Sequence, residues 1–304
     1  MKNKYLLLIS EENIEYLESL NYSFDKKNIK IVEKNLSKEK IKVLAKDLNK
    51  KYNKIIFFDY SYIFYELLPL LEKKLKICWI FKYSIACFSN IDIYNYFLQI
   101  IEYKSRKLID EIYALDFNLY TIFKSNYKFK YLMFDINQKN KKVKILNQIG
   151  IIGMDYDEIS NFYNMLSACA FYRFEEVKVM NNMNSTIDFG KDFDLNIKKY
   201  ESYNEILSGN KVNLYCPFSN LNTLIVLKSF DMGIPCIVSN TDMFDGWDYL
   251  KEQVVLNSDD DINEIVQKIE MVQKNKKQIL KEYEKYRKNY SDKSLKTISK
   301  LIRW

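Results

Sequence analysis

The chain has 304 residues, 48% of them apolar or aromatic and 29% charged, a globular profile with room for two domains. Its 47 Lys and Arg against 40 Asp and Glu leave a formal charge of +7. Only Arg106, Arg173, Arg287 and Arg303 could supply the guanidinium forks that read bases, so no nucleic-acid partner is expected. There is no histidine, which excludes His-activated nucleophiles, imidazole acid–base catalysis and His-ligated metals.

The chain opens with MKNKYLLLISEE, whose apolar run of five residues (5–9) before Glu11 and Glu12 is too short for the apolar core of a secretion signal. No apolar run approaches a membrane span, so a cytoplasmic location is expected, with the inner face of the membrane as its one variant. Residues 5–9, 29–32, 54–58, 77–81, 111–115 and 130–134 read as short buried strands. Helical periodicity occupies 12–20, 37–52, 61–73 and 91–106 between them, and Ser37 with Glu39 suits a helix start. Cys78 and Cys87 begin a set of five cysteines, completed by Cys169, Cys216 and Cys236, that holds no Cys-x-x-Cys pair. Buried free thiols of a reducing compartment are expected.

The polar stretch 137–144, NQKNKKVK, reads as a linker, and all six glycines lie beyond it, from Gly150 to Gly246. A second alternating series follows: strand 148–152, helix 156–172, strand 176–180, polar loop 181–191, short helix 201–207 and strand 212–215. A helix stopped by Gly233 comes next, then a strand opened by Pro235, a further strand at 253–256, and a helix from the Ser258–Asp259 cap to about Val272. Residues 274–302 form a last amphipathic helix. Strand–helix alternation of this kind predicts an α/β protein of two Rossmann-like doubly wound domains facing across a cleft. Their expected limits are 1–140 and 145–288, with 289–304 as a closing helix.

Three motifs carry candidate chemistry. Asp259-Asp260-Asp261 reads as a helix N-cap and not a metal site, since no further acidic partner completes an oxygen cage, and no metal is expected. Gly150-Ile151-Ile152-Gly153 lacks the third glycine of a dinucleotide fingerprint. It remains a tight strand-to-helix turn whose backbone N–H groups can face a diphosphate. The polar turn from Ser219 to Thr223 sits between a strand end and a helix N-terminus, where open α/β sheets bind phosphate-bearing ligands.

Taken together, IGIIGMDYDEISNFYNMLSACA (149–170), NLYCPFSNLNTLIVLKSFDMGIPCIVSN (213–240) and VVLNSDDDINEIVQKI (254–269) resemble the C-terminal domain of retaining GT-B glycosyltransferases of the group 1 type. The resemblance covers residues 149–304, whereas 1–140 share only the alternating pattern. It implies metal-independent transfer of a hexose from a nucleotide-sugar to a glycan, lipid-linked or protein acceptor. It also implies a closing helix that returns toward the first domain. The donor-binding positions it implies are Gly153, Ser160, Asn161, Ser219, Asn220, Asn222, Thr223 and Lys228. The family's two glutamates, eight positions apart, fall on Asn220 and Lys228, and its diphosphate lysine falls on Ser160. With these three anchors replaced, a non-catalytic homologue that serves as an acceptor-binding or partner subunit is the alternative.

Acceptor-side candidates follow two strands of the first domain: Asp59, Tyr60 and Tyr62 after 54–58, and Tyr83 and Ser84 after 77–81. No side-chain base can be named. Residues 274–303 hold eleven Lys or Arg against Glu282, Glu284 and Asp292. Two readings stand for them: a solvated helical face, or a peripheral contact with an anionic membrane.

Overall fold

The computed structural model describes residues 5–14, 24–135, 144–153, 161–180, 194–218 and 223–303. The chain divides into two units, residues 1–137 with 291–304, and residues 138–290.

Unit 1 is built on a wholly parallel sheet in the order β2-β1-β3-β4-β5-β6. Its strands are β1 (Tyr5–Ser10), β2 (Ile29–Val32), β3 (Lys54–Phe58), β4 (Lys76–Phe81), β5 (Glu111–Ala114) and β6 (Lys130–Tyr131). Every residue of β1 and β3 is buried, as a sheet covered on both faces requires, and this explains the apolar runs 5–9 and 55–58 within them. Helix α1 (Lys38–Lys51) is capped by Ser37, whose hydroxyl accepts from Lys40 N at 3.3 Å. It buries Ile41, Leu44, Ala45 and Leu48, a stripe at three- and four-residue spacing.

Helix α2 (Tyr62–Leu67) is shorter than the 61–73 expected. Pro69 cannot donate to a helical ladder, and the chain passes into a 3-10 turn at Leu68–Leu70. Glu11–Asn13 is likewise a 3-10 turn where a helix over 12–20 was expected, and residues 15–23 lie outside the described residues. Helix α3 (Ile91–Ser105) starts on Asn90, whose Oδ1 accepts from Asp92 N at 2.9 Å. Helix α4 (Phe117–Tyr127) is additional to the elements read from the sequence; Asp116 caps it, accepting from Leu119 N at 2.6 Å. The core beneath these helices is aromatic. Phe57 and Trp79 lie 4.9 Å apart, and Trp79 donates its indole N–H to Tyr96 OH at 2.8 Å.

Unit 2 has a second parallel sheet, in the order β11-β10-β7-β8-β9. Its strands are β7 (Gln148–Ile151), β8 (Glu176–Met180), β9 (Ile197–Tyr200), β10 (Val212–Tyr215) and β11 (Cys236–Val238). Helices α5 (Phe162–Cys169), α6 (Tyr203–Leu207), α7 (Thr223–Asp231) and α8 (Asp248–Val254) connect or follow them, and α9 (Ile262–Ile302) closes the chain. Strand β9 was not among the expected elements; residues 181–193 before it, including the whole of the expected polar loop 181–191, lie outside the described residues. A capping box sets the start of α6: Ser202 accepts from Glu205 N while Glu205 accepts from Ser202 N. Gly233, at φ +77°, ends α7 as expected.

Two sequence expectations fail here. Residues 253–256 are not a strand: α8 runs to Val254, and only Val255 bridges to Val238. A four-residue apolar run ending a helix has no period that distinguishes it from a buried strand. Nor does the chain break near Val272. Helix α9 is a single element of 41 residues with no Gly or Pro inside it. Its cap is Asp261, which accepts from Asn263 N at 2.9 Å and Glu264 N at 3.2 Å, and not Ser258 or Asp259.

Ile265, Ile269, Val272, Ile279, Tyr283, Tyr286 and Tyr290 of α9 are buried, while Lys274, Lys277, Lys281 and Lys288 are exposed. Beyond Tyr290 the helix belongs to unit 1. There Ser294 donates to Met133 O at 2.9 Å. The buried Lys54 of β3 donates to the carbonyls of Leu301 (2.5 Å) and Arg303 (3.0 Å), satisfying a helix end from inside the sheet.

Gly150 is also not the turn residue expected. It lies within β7, paired with Asn213 of β10. A Cβ there would sit 2.5 Å from both Asn213 Oδ1 and Ile206 O, and 2.7 Å from Asn210 Nδ2. Gly150→Ala is therefore expected to destabilise unit 2 by about 1–3 kcal/mol, read as a lower urea midpoint at unchanged slope. A second expectation concerns acid. Burial pushes the Glu111 carboxyl up, but hydrogen bonds from Lys130, Tyr113 and Lys76 outweigh this and bring it down to about 2. Because the folded value lies below the unfolded 4.5, this stabilisation is complete above that pH and is lost as pH falls toward 2. Glu111→Gln should flatten that part of the acid-unfolding curve.

Candidate functional site at the two strand-order reversals

Each sheet reverses its strand order once, between β1 and β3 in unit 1 and between β7 and β10 in unit 2. At such a point the connections leave in opposite directions and open a crevice beyond the C-terminal strand ends.

In unit 2, Ile152 continues β7 by donating to Leu214 O at 2.9 Å, and Gly153 follows it, half-buried. Across the reversal, Cys216 N donates to Met165 Sδ at 3.4 Å, and the chain reaches Phe218, which is 48% exposed. Thr223 opens α7. Lys228 lies on the same helix, half-buried. Burial lowers its pKa, and its ammonium has no ion pair or hydrogen bond among the described residues.

Asn161 is buried just before α5, in the left-handed region at φ 55°. Its side chain donates to the backbone carbonyl of Asp259 and accepts from Asn164 Nδ2 at 2.7 Å. Asp259 in turn accepts from Asn240 N at 2.7 Å, beyond β11. Asn161 thus pins three connections at one edge. Ser160, Ser219, Asn220 and Asn222 lie outside the described residues.

In unit 1 the reversal gathers polar groups from three adjacent strands. Asp59 follows β3, fully buried and left-handed at φ 59°. Lys82 follows β4, and its ammonium lies 2.7 Å from Asp59 Oδ2 and 2.5 Å from Asn13 Oδ1. Asn13 donates to Ser10 Oγ at 2.9 Å, at the end of β1. Tyr60 is 41% exposed and packs its ring 5.1 Å from that of Tyr96. Burial first, and the Asp59 charge second, hold the phenols of Tyr83 and Tyr96 above their ordinary range. Burial likewise raises the Asp59 carboxyl, against the opposing pull of Lys82.

Tyr62 stands on α2 with its hydroxyl on Glu66 at 2.9 Å, and Ser84 lies 3.4 Å from Cys87 Sγ. Neither is tied to the Asp59 cluster by these bonds. Sequence reasoning missed Lys82, Asn13 and Ser10. The available signal was positional: each is at, or within three residues of, the end of a buried apolar strand, and parallel neighbours place such residues side by side.

Among the described residues no group of three or more Cys, Asp or Glu is placed to hold a metal ion. No described helix is long and apolar enough to cross a membrane.

No protein-family model and no curated protein matches the chain in sequence. Solved structures do match in fold. Sucrose-phosphate synthase from Thermosynechococcus elongatus aligns with a TM-score of 0.64 at 9% identity, over 99% of this chain and 98% of that one. A glycosyltransferase from Rickettsia africae ESF-5 gives 0.62 at 10% identity over the same shares. Anabaena HepE, in complex with UDP and glucose, gives 0.61 at 9% identity, again over 99% and 98%. The fold is GT-B.

The GtfA/B complex is also similar, with a TM-score of 0.59 at 12% identity over 87% of this chain, which spans 59% of that longer one. At such identities the likeness carries the GT-B fold and not an activity. Within this fold Asn161 gives a direct test of how the unit 2 edge is held. Asn161→Gly loses the side-chain bonds but keeps the left-handed backbone; Asn161→Ala loses both. The alanine variant is expected to be less stable than the glycine variant by about 1 kcal/mol in urea titration.

Proposed function

We propose that the chain is a glycosyltransferase moving a hexose from a nucleotide-sugar to a glycan, lipid-linked or protein acceptor, without a metal ion. The observation that carries this reading is the unit 2 reversal. Gly153 and Phe218 leave adjacent strand ends, α7 begins at Thr223 beyond the second of them, and the Lys228 ammonium on that helix lacks a counter-ion among the described residues. Backbone amides at a helix start, with a positive charge on the same helix, suit a diphosphate. The solved neighbours HepE and GtfA, in complex with UDP and glucose and with UDP and GlcNAc, support that ligand class.

In this reading Ser160, Asn161, Ser219, Asn220, Asn222 and Thr223 line the donor side. Departure of a nucleoside diphosphate needs placement and electrostatic support of the leaving oxygens more than a side-chain base. Where the resemblance puts carboxylates, Asn220 retains neutral hydrogen bonding and Lys228 brings a positive charge. A carboxylate on ribose hydroxyls contributes roughly 1.5–3 kcal/mol per bond, so its loss weakens donor affinity about tenfold to a hundredfold.

Thermal shift against UDP-, GDP- and CDP-sugars in the presence of EDTA tests the proposal, because a ligand of the native state raises the midpoint. One donor should raise it at millimolar concentration. Asn222→Ala should abolish the shift, and Lys228→Glu should change donor affinity by about tenfold or more. No shift with any of the three donors would overturn the reading.

A further inference from the structure

Helix α7 is fastened from two directions, and the two fastenings bracket one residue. We propose that Asp231, Arg287 and Tyr283 are positioning residues that set the turn of α7 carrying Lys228, and that this placement decides how tightly the unit 2 edge holds a diphosphate. The ligand class rests on the transferase reading, which this deepens by naming what holds the charged helix in place.

On the α9 side, both oxygens of the Asp231 carboxylate stand 3.0 Å from Arg287 Nε, and its side chain is only 11% exposed. Tyr283 OH lies 2.7 Å from Asp231 Oδ1 and 3.2 Å from Leu227 O, one proton shared between two acceptors. Its ring stacks on Phe230 with centroids 4.5 Å apart. Burial first, and the Asp231 charge second, hold the Tyr283 phenol well above its ordinary range, so the hydroxyl stays a donor. On the sheet side, Ser229 accepts from Asn213 Nδ2 at 2.8 Å and donates to Ile234 O at 2.7 Å. Leu227 and Ser229, the chain neighbours of Lys228, are thus each held by a different element.

The needs of the helix itself do not account for Asp231. It is the last residue of α7, the end at which a helix dipole favours a cation and not a carboxylate. A desolvated ion pair returns in Coulomb energy little more than its burial costs, so what it contributes here is geometry: it fixes a register along which an apolar contact could slide. Lys228 needs such a base. An ammonium on a flexible stem is a point charge whose position is only as definite as the backbone beneath it. Preorganising that backbone removes an ordering cost from anion binding.

Calorimetric titration of the full chain with inorganic pyrophosphate, and with UDP-, GDP- and CDP-sugars, tests this. Asp231→Leu combined with Arg287→Leu removes both charges together and leaves neither buried alone, so the unfolding midpoint should hold while saturable pyrophosphate binding weakens about tenfold. Tyr283→Phe, which keeps the ring stack, should weaken it several-fold, and carries the test if the double variant does not fold. Lys228→Gln decides between positioning and general softening of the unit. In that background the Asp231, Arg287 and Tyr283 substitutions should cost no further affinity, because groups that act through one another are not additive. Unchanged affinity in the Asp231/Arg287 and Tyr283 variants, losses that add to that of Lys228→Gln, or a wild type that binds neither pyrophosphate nor any of the nucleotide-sugars overturns the proposal. Nucleotide-sugar binding that these variants keep removes this proposal alone. Pyrophosphate binding that they lose, without any nucleotide-sugar binding in the wild type, removes the transferase reading and leaves a positioned anion site.

Discussion

Asn213 is fully buried in the middle of a parallel sheet, and its side chain fits there only because residue 150 has none. The carboxamide donates to Leu207 O at 3.1 Å and Ser229 Oγ at 2.8 Å, and accepts from Asn210 Nδ2 at 2.6 Å. Ser229 passes the chain on to Ile234 O at 2.7 Å. One side chain thereby links the end of α6, strand β10 and the turn from α7 into β11. A buried amide is expensive unless every such bond is made, so the network tolerates little displacement. Its consequence lies one residue further along. Strands β7 and β10 are held in one register, and the loops after Gly153 and Phe218 start from fixed points on a rigid base.

The two strand-order reversals share a topology and differ in charge. At the unit 2 edge the fixed groups are the start of α7 and the Lys228 ammonium, which has no carboxylate beside it among the described residues. At the unit 1 edge the lysine is already matched by Asp59. The first edge leaves a positive charge uncompensated among the described residues, and the second does not. The fold supplies both crevices for the same geometric reason. Which residue follows each strand decides what enters them.

The sheets were readable because their strands are short apolar runs buried on both faces; β1, β3 and β4 stand where the sequence places them. Helix α9 was not, because a stop at Val272 was inferred with no Gly or Pro to cause it, while the buried stripe from Ile265 to Leu301 keeps one helical period throughout. The 253–256 run was misread for the opposite reason, being too short to show any period. Gly150 shows a third kind of failure. Nothing local separates a glycine needed for a turn from one needed to clear a neighbour's side chain, and the neighbour, Asn213, is 63 positions away in the chain (213 − 150). The same holds for Asp59 and Lys82, whose meeting follows from strand order rather than from either residue's surroundings in sequence. Most of the polar donor-side positions lie in the two loops outside the described residues, so their candidacy rests on the sequence.

A lysine where the resemblance places a carboxylate invites the view that the unit 2 site has decayed. The position of Lys228 argues against taking that as the whole account. A residue released from its role on a helix surface drifts toward solvent exposure, yet Lys228 is half-buried and its ammonium is disfavoured by the burial. Keeping a charge there costs free energy that no described carboxylate returns. A bound diphosphate would return it, lifting the ammonium's pKa back toward the ordinary range and drawing the proton more firmly onto Lys228. An anion bound there would fill an electrostatic deficit, the reverse of a ribose-binding glutamate, which is satisfied by hydroxyls. On this view the substitution moves the donor's anchorage from the ribose toward the phosphates, and affinity becomes more sensitive to salt than in a carboxylate-bearing site.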